Sequence, residues 1–283
     1  MILVPTKVPA KQFLLQSTSL KRLPWLVHGF TTRASGNLGF TKGASRRAVE
    51  RNRAALIKRL TRTRPWPLVT LRQIHSDLIH PVTDVPGQLL AGDGLITRTP
   101  GLLLAIQTAD CLPVILVDIK HHAIGVFHAG WRGTVQRIVE KGVGEMRRNF
   151  GTHPKDIHAT IGPGVHKCCY QVGQEVRDRF ESQFAYASEL FHETKESDEI
   201  HERYPLLFLT ARAPGHSEHV LPKKIFLDLV EANRRQLLDA GVPAKQISAS
   251  PLCTSCQTDM LFSYRKEKEA AGRMLAVAGL KPR

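Results

Sequence analysis

The stretch GLLLAIQTADCLPVILVDIKHHAIGVFHAGWRGT, residues 101–134, decides the fold. Within it, 101–106 and 112–118 are continuous apolar runs and 124–127 is a shorter one. Their lengths and their branched residues predict strands buried on both faces, not a helix. Gln107–Cys111 and His128–Gly133 then fall at strand ends, where a sheet presents reactive groups on its loops. Asp110 is a charge inside this apolar stretch, expensive there unless it is paired, hydrogen-bonded or near a metal.

Working outward, Val135, Ile138, Val139, Val143, Met146 and Phe150 recur at the helical period, predicting a helix over 134–150 that stops at Gly151. Its first-turn amides, with Arg132 beside them, predict an anion site near His128. A structural salt bridge for Arg132 and core packing for Trp131 are the competing expectation. A second helix is predicted over 228–240, where Asp228 and Glu231 resemble a capping box and Gly241 supplies the stop. Residues 25–31 read as a strand, 44–60 as a helix, and 68–74 as a strand ending in His75. The polar 184–222 stretch reads as a long surface excursion. Strands and helices without regular alternation predict an α+β fold, with 1–283 forming a single compact domain of mixed β-sheets covered by helices.

His75, Cys111 and His128 each border a predicted strand. Two imidazoles and a thiolate are a common ligand set for a catalytic zinc, leaving a fourth position open for water or substrate. If the three converge, the chain is a metal-dependent enzyme. Asp110 is placed to orient a metal-held imidazole. Cys168 and Cys169 are adjacent, a strained arrangement for a disulfide, and read as structural. Cys253 and Cys256 have the C-x-x-C spacing of half a zinc site or a redox pair. No second C-x-x-C completes a four-cysteine site, and packing is the favoured reading.

The 40 Lys and Arg against 25 Asp and Glu give a formal charge of +15, which favours anionic partners. Only 6% of residues are aromatic and no stacking motif is visible, so the sequence argues against a nucleic-acid-binding module. No apolar run is long enough for a membrane helix. The N-terminus lacks the marks of a secretory signal, and the odd count of five cysteines does not suggest a disulfide framework. A cytoplasmic protein is the expectation.

HGFTTR (28–33), RQIHSDLI (72–79), DGLIT (93–97), TADCLPVILVD (108–118), GVFHAGWRGT (125–134), IGP (161–163), CCYQVG (168–173), LDLVEANRRQLLDAGV (227–242), CTSC (253–256), LFSYR (261–265) and AGR (271–273) run in order along nearly the whole chain. Together they resemble the bacterial multicopper polyphenol oxidase, or laccase-domain, family. That family is associated with purine nucleoside phosphorylase and adenosine deaminase activity, and some members are described as peptidoglycan editing factors. The resemblance implies a zinc, with copper as an alternative, held by His75, Cys111 and His128. It implies an enzyme that phosphorolyses adenosine, inosine and methylthioadenosine and deaminates adenosine, with nucleoside and phosphate as its small-molecule partners.

On this reading Asp110 and Arg132 are the candidate catalytic residues, Arg132 as a phosphate clamp. Arg33, Gln73, Gly130 and Trp131 are candidates for substrate contact. An alternative is a hydrolase that edits a peptidoglycan precursor, with Cys111 as nucleophile and His128 as its base. Against a true multicopper oxidase, the chain has 13 His but no His-X-His pair. One metal is the economical reading. Relative to the family, the stretch 34–39 is shortened, a second Gly-Pro before Cys168 is absent, and 184–222 is longer.

Overall fold

The computed structural model of the chain describes residues 12–62, 65–195 and 223–282. Its strands, in chain order, are β1 (Leu14–Leu15), β2 (Leu26–Thr31), β3 (Leu68–Val69), β4 (Ile79–Pro81), β5 (Gly94–Thr97), β6 (Leu103–Thr108) and β7 (Leu112–Asp118). They continue with β8 (Ala123–Ala129), β9 (Ile157–Ile161), β10 (Gln171–Val172), β11 (Phe191–Lys195), β12 (Lys223–Leu227), β13 (Ile247–Ala249) and β14 (Met274–Leu280). The helices are α1 (Arg46–Thr61), α2 (Trp131–Val135), α3 (Ile138–Phe150), α4 (Gln174–Glu181), α5 (Leu229–Asp239) and α6 (Tyr264–Glu267). The α+β class expected from the sequence is the class observed.

By its internal contacts the chain divides into two compact units, Met1–Cys169 with Leu229–Arg283, and Tyr170–Asp228. The first holds two mixed sheets, one of six strands in the order β13-β9-β7-β8-β5-β4 and one of five in the order β1-β2-β14-β6-β3. One apolar cluster joins them: Ile115, Val117, Ile124 and Val126 from the six-stranded sheet meet Phe30, Leu104, Ile106, Ala276 and Ala278 from the other. Alternate residues of a strand point to opposite faces, so Leu103, Ala105, Leu275 and Val277 face away, into a second cluster with Leu56 of α1. On the far side of the six-stranded sheet α3 packs on β8, and a Cβ on Gly142 of α3 would meet the Phe127 ring at 2.6 Å. Both faces of β7 and β8 are therefore covered, which is the physical reason their sequences are apolar without alternation.

The boundaries of β7 match the sequence reading, and β6 begins two residues later than the 101–106 run. Two expectations are corrected. The helix predicted over 134–150 is two helices: α2 has five residues, and Arg137, in the left-handed conformation at φ 62°, separates it from α3. Gly151 ends α3 at φ 70°, the left-handed cap that glycine adopts without a Cβ penalty. The strand predicted over 68–74 is only Leu68–Val69, and His75 sits in a turn at φ 58°.

In the second unit β12 pairs antiparallel with both β10 and β11. Phe180 of α4 packs edge-on against Phe191 and tilted against Phe184, giving this unit its own apolar centre. The excursion read at 184–222 falls in this unit, and its part from 196 to 222 lies outside the described residues.

Candidate metal centre

The site is built around one buried carboxylate. Asp93, fully buried at the start of β5, accepts the amides of Ile74 at 3.2 Å, His75 at 3.1 Å and Ser76 at 2.6 Å, and the Ser76 hydroxyl at 2.8 Å. These bonds hold the 74–76 turn with His75 in the left-handed conformation at φ 58°, which non-glycine residues adopt uncommonly. The same carboxylate accepts His128 Nδ1 at 2.8 Å, and the His128 amide donates to the Asp93 carbonyl at 2.8 Å. A carboxylate only accepts, so Nδ1 carries a proton, and Nε2 is the nitrogen that can give up its own proton to present a lone pair to a metal.

His128 lies on β8 two residues beyond Val126 and so shares the face turned toward the other sheet. The rings of His75 and His128 meet edge-on, 4.9 Å apart at 71°. Ligand atoms of His75, Cys111 and His128 all lie within 4.8 Å of one another. Cys111 enters from the turn between β6 and β7, where Asp110 has φ 93°. Gly130 makes the approach possible: a Cβ there would stand 3.0 Å from Cys111 Sγ and 3.2 Å from His75 Cδ2.

Burial would raise the Cys111 thiol, but the neighbouring His128 charge and hydrogen bonds from His128 and His75 pull it down to about 6. Burial would lower His128, but the Cys111 charge and the Asp93 carboxylate push it up to about 9. Asp93, despite its burial, is held at about 2 by His128 and Ser76. The three groups form one electrostatic unit of anion, cation and thiolate.

The other candidates take different places. Asp110, expected to orient an imidazole, directs its carboxylate to Thr254 Oγ1 at 2.6 Å, Ser263 Oγ at 2.7 Å and the Arg265 amide at 2.6 Å. Asp93 makes the imidazole contact instead. Gln73 exchanges two hydrogen bonds with the backbone of Gln107, at 2.8 and 2.7 Å, as a neighbouring strand would. Arg33 pairs with Glu267 at 2.7 Å, donates to the Leu261 carbonyl at 3.1 Å and lies over the Phe262 ring.

Arg132 is exposed and lies over the Trp131 ring at 4.4 Å. The anion site expected at the first turn of a long helix has only the five-residue α2 behind it, too short for a substantial dipole. Asp93 was passed over in the sequence, although a charged residue opening the apolar strand Gly94–Thr97 was the available signal. Cys168, Cys169, Cys253 and Cys256, read as two separate pairs, also come together.

The model of the family described as multi-copper polyphenol oxidoreductase laccase matches residues 27–281. The chain belongs to this family. A purine nucleoside phosphorylase of Deinococcus radiodurans is 36% identical over 266 residues, covering 89% of this chain and 88% of that protein. An adenosine deaminase of an unknown prokaryotic organism is 35% identical over 181 residues, 64% of this chain and 59% of that protein. Among solved structures, YlmD from Geobacillus stearothermophilus superposes with a TM-score of 0.78 at 30% identity, covering 98% of both chains.

Within this laccase family the donor set of this member suits one metal ion. It offers two imidazole nitrogens and a thiol of lowered pKa, one ring already oriented by Asp93 and the backbone cut back to glycine beside the sulfur. Among the described residues, the groups with metal-ligand geometry are this one and the four cysteines, and neither is the histidine array that copper oxidase chemistry requires. No described helix is long and apolar enough to cross a membrane.

Proposed function

We propose that the protein is a zinc-dependent enzyme of purine nucleosides, with His75, Cys111 and His128 as the metal ligands. The observation that carries this reading is the convergence of the three ligand atoms within 4.8 Å around an imidazole that buried Asp93 already orients. The relatives named as purine nucleoside phosphorylase and adenosine deaminase support the substrate class. The reactions are phosphorolysis of adenosine, inosine and methylthioadenosine to free base and pentose 1-phosphate, and deamination of adenosine by water to inosine and ammonia.

Bound zinc supplies Lewis acidity at the reacting centre. The chain's own residues do the rest. Asp93 fixes the tautomer and ring plane of His128 and the turn that carries His75. Gly130 keeps the backbone clear of the ligands. Arg132, backed by the Trp131 ring, offers the guanidinium that clamps phosphate, and Trp131 and Gly130 contact substrate. Asp110, Arg33 and Gln73 are positioning residues: their polar atoms hold the 261–267 segment and β6 in place.

The test is to load the protein with zinc and follow adenosine and inosine by chromatography with and without phosphate. Base release that depends on phosphate, lost with Cys111→Ala, supports the reading; no product from any purine nucleoside refutes it.

One observation favours a second reading. The low thiol pKa of Cys111 and the raised pKa of His128 suit a nucleophile whose proton the imidazole takes up as its base, as a hydrolase editing a peptidoglycan precursor would use. Turnover that survives removal of metal by a chelator would favour it over zinc catalysis.

A further inference from the structure

Two cysteine pairs far apart in sequence meet outside that centre. Cys168 and Cys169 follow β9, and Cys253 and Cys256 lie between β13 and α6. Cys256 Sγ is 3.6 Å from Cys168 Sγ and 3.3 Å from Cys169 Sγ, and the four sulfurs all lie within 4.8 Å of one another. The backbone brings them there. Gly164 and Cys253 form an isolated parallel bridge, and the Thr254 amide donates to the Gly164 carbonyl at 2.9 Å. Each segment then turns tightly, with the Cys169 amide on the His166 carbonyl at 2.9 Å and the Gln257 amide on the Cys253 carbonyl at 3.1 Å. The His166 amide points at Cys253 Sγ, 3.5 Å away.

The spacing selects among the roles of such a cluster. A zinc–thiolate bond of about 2.3 Å puts the sulfurs of a tetrahedral site about 3.8 Å apart; the 3.6 and 3.3 Å spacings fall a little short of that edge, and all four sulfurs lie within 4.8 Å of one another. A disulfide needs sulfurs at about 2.0 Å, and all four cysteines are free thiols. A cluster of several irons would spread its thiolates wider than a single ion does. Apolar packing does not account for the group either, because Cys168 and Cys256 are exposed and only Cys253 is buried.

We propose that Cys168, Cys169, Cys253 and Cys256 form a second metal site, a closed tetrathiolate that holds a structural zinc ion. Thiolates are the soft ligands that favour zinc, and binding releases the thiol protons to solvent. The ion ties the 164–169 segment to the 253–256 turn. Both end on one residue: the Val165 amide donates to the Asp110 carbonyl at 2.7 Å, and the Thr254 hydroxyl donates to Asp110 Oδ1 at 2.6 Å. Asp110 immediately precedes Cys111, so the second site braces the turn that delivers the thiolate of the first. The proposal does not depend on what the His75, Cys111 and His128 centre catalyses.

The test uses the full chain, purified under reductant, with zinc alone as the probe. Metal analysis is expected to give two zinc ions in the wild type, one in Cys111→Ala, and one in the double variant Cys253→Ser/Cys256→Ser. X-ray absorption of zinc-loaded Cys111→Ala should show a shell of four sulfurs at about 2.3 Å. A measurement on the wild type guards against variants that do not fold. Alkylation mapped by mass spectrometry should find Cys168, Cys169, Cys253 and Cys256 protected by zinc and exposed after chelation. The proposal is overturned if Cys111→Ala binds no zinc, or if zinc leaves the alkylation of those four cysteines in reduced wild-type protein unchanged.

Discussion

Asp93 and His128 are joined twice, through carboxylate and ring at 2.8 Å and through carbonyl and amide at 2.8 Å. The same carboxylate carries the turn of His75, so one buried anion aligns two of the three proposed metal ligands. Asp93→Asn keeps the shape but loses the charge and sets a donor against the amides it now receives. Metal affinity is expected to fall roughly 10- to 100-fold, read by competition with a chromophoric zinc chelator. Unchanged affinity would remove Asp93 from the account of the site.

Gly130→Ala brings a methyl group to 3.0 Å from Cys111 Sγ and 3.2 Å from His75 Cδ2. The ligand set must open to accept it. Zinc affinity should drop in the same competition assay while the thermal midpoint of the metal-free protein moves little. An equal loss of stability in the metal-free protein would point to a packing role instead.

Gln73 distinguishes positioning from substrate contact. Gln73→Ala removes both bonds to the Gln107 backbone and leaves those groups to find new partners, a cost of about 1–3 kcal/mol by urea denaturation. With the fold intact at low temperature, KM should be near that of the wild type. A large rise in KM without loss of stability would return Gln73 to the substrate-contact role.

His28 sets an acid limit on stability. Burial lowers its pKa to about 4, and its Nε2 accepts the Ser17 amide at 3.1 Å. With the folded pKa below the unfolded value of 6.5, the unfolded chain binds the proton first as pH falls. Stability is therefore full above about pH 6.5, declines between 6.5 and 4, and levels off below, the loss reaching about 2 kcal/mol by pH 5. Urea denaturation at pH 7 and pH 5 checks this, and His28→Gln should flatten the difference.

Much of this was legible in the sequence because the decisive strands carry a simple signal. β7 and β8 are covered on both faces, so their apolar runs announce them and place the candidate ligands Cys111 and His128 at their ends. The left-handed Arg137 that splits α2 from α3 breaks no apolar period and left no mark. Asp93 and Asp110 are both charges beside apolar strands, and composition could not say which one faces an imidazole; the sheet pairing of β5 with β8 decides it. The four cysteines escaped because their convergence rests on the Gly164–Cys253 bridge, a contact across 89 residues that no local pattern encodes.

The most direct test is the fate of inosine with zinc-loaded protein and phosphate, followed by chromatography alongside Cys111→Ala. The account predicts hypoxanthine and ribose 1-phosphate in equal amounts from the wild type and none from the variant. Absence of hypoxanthine in both, or the same rate in both, would contradict it.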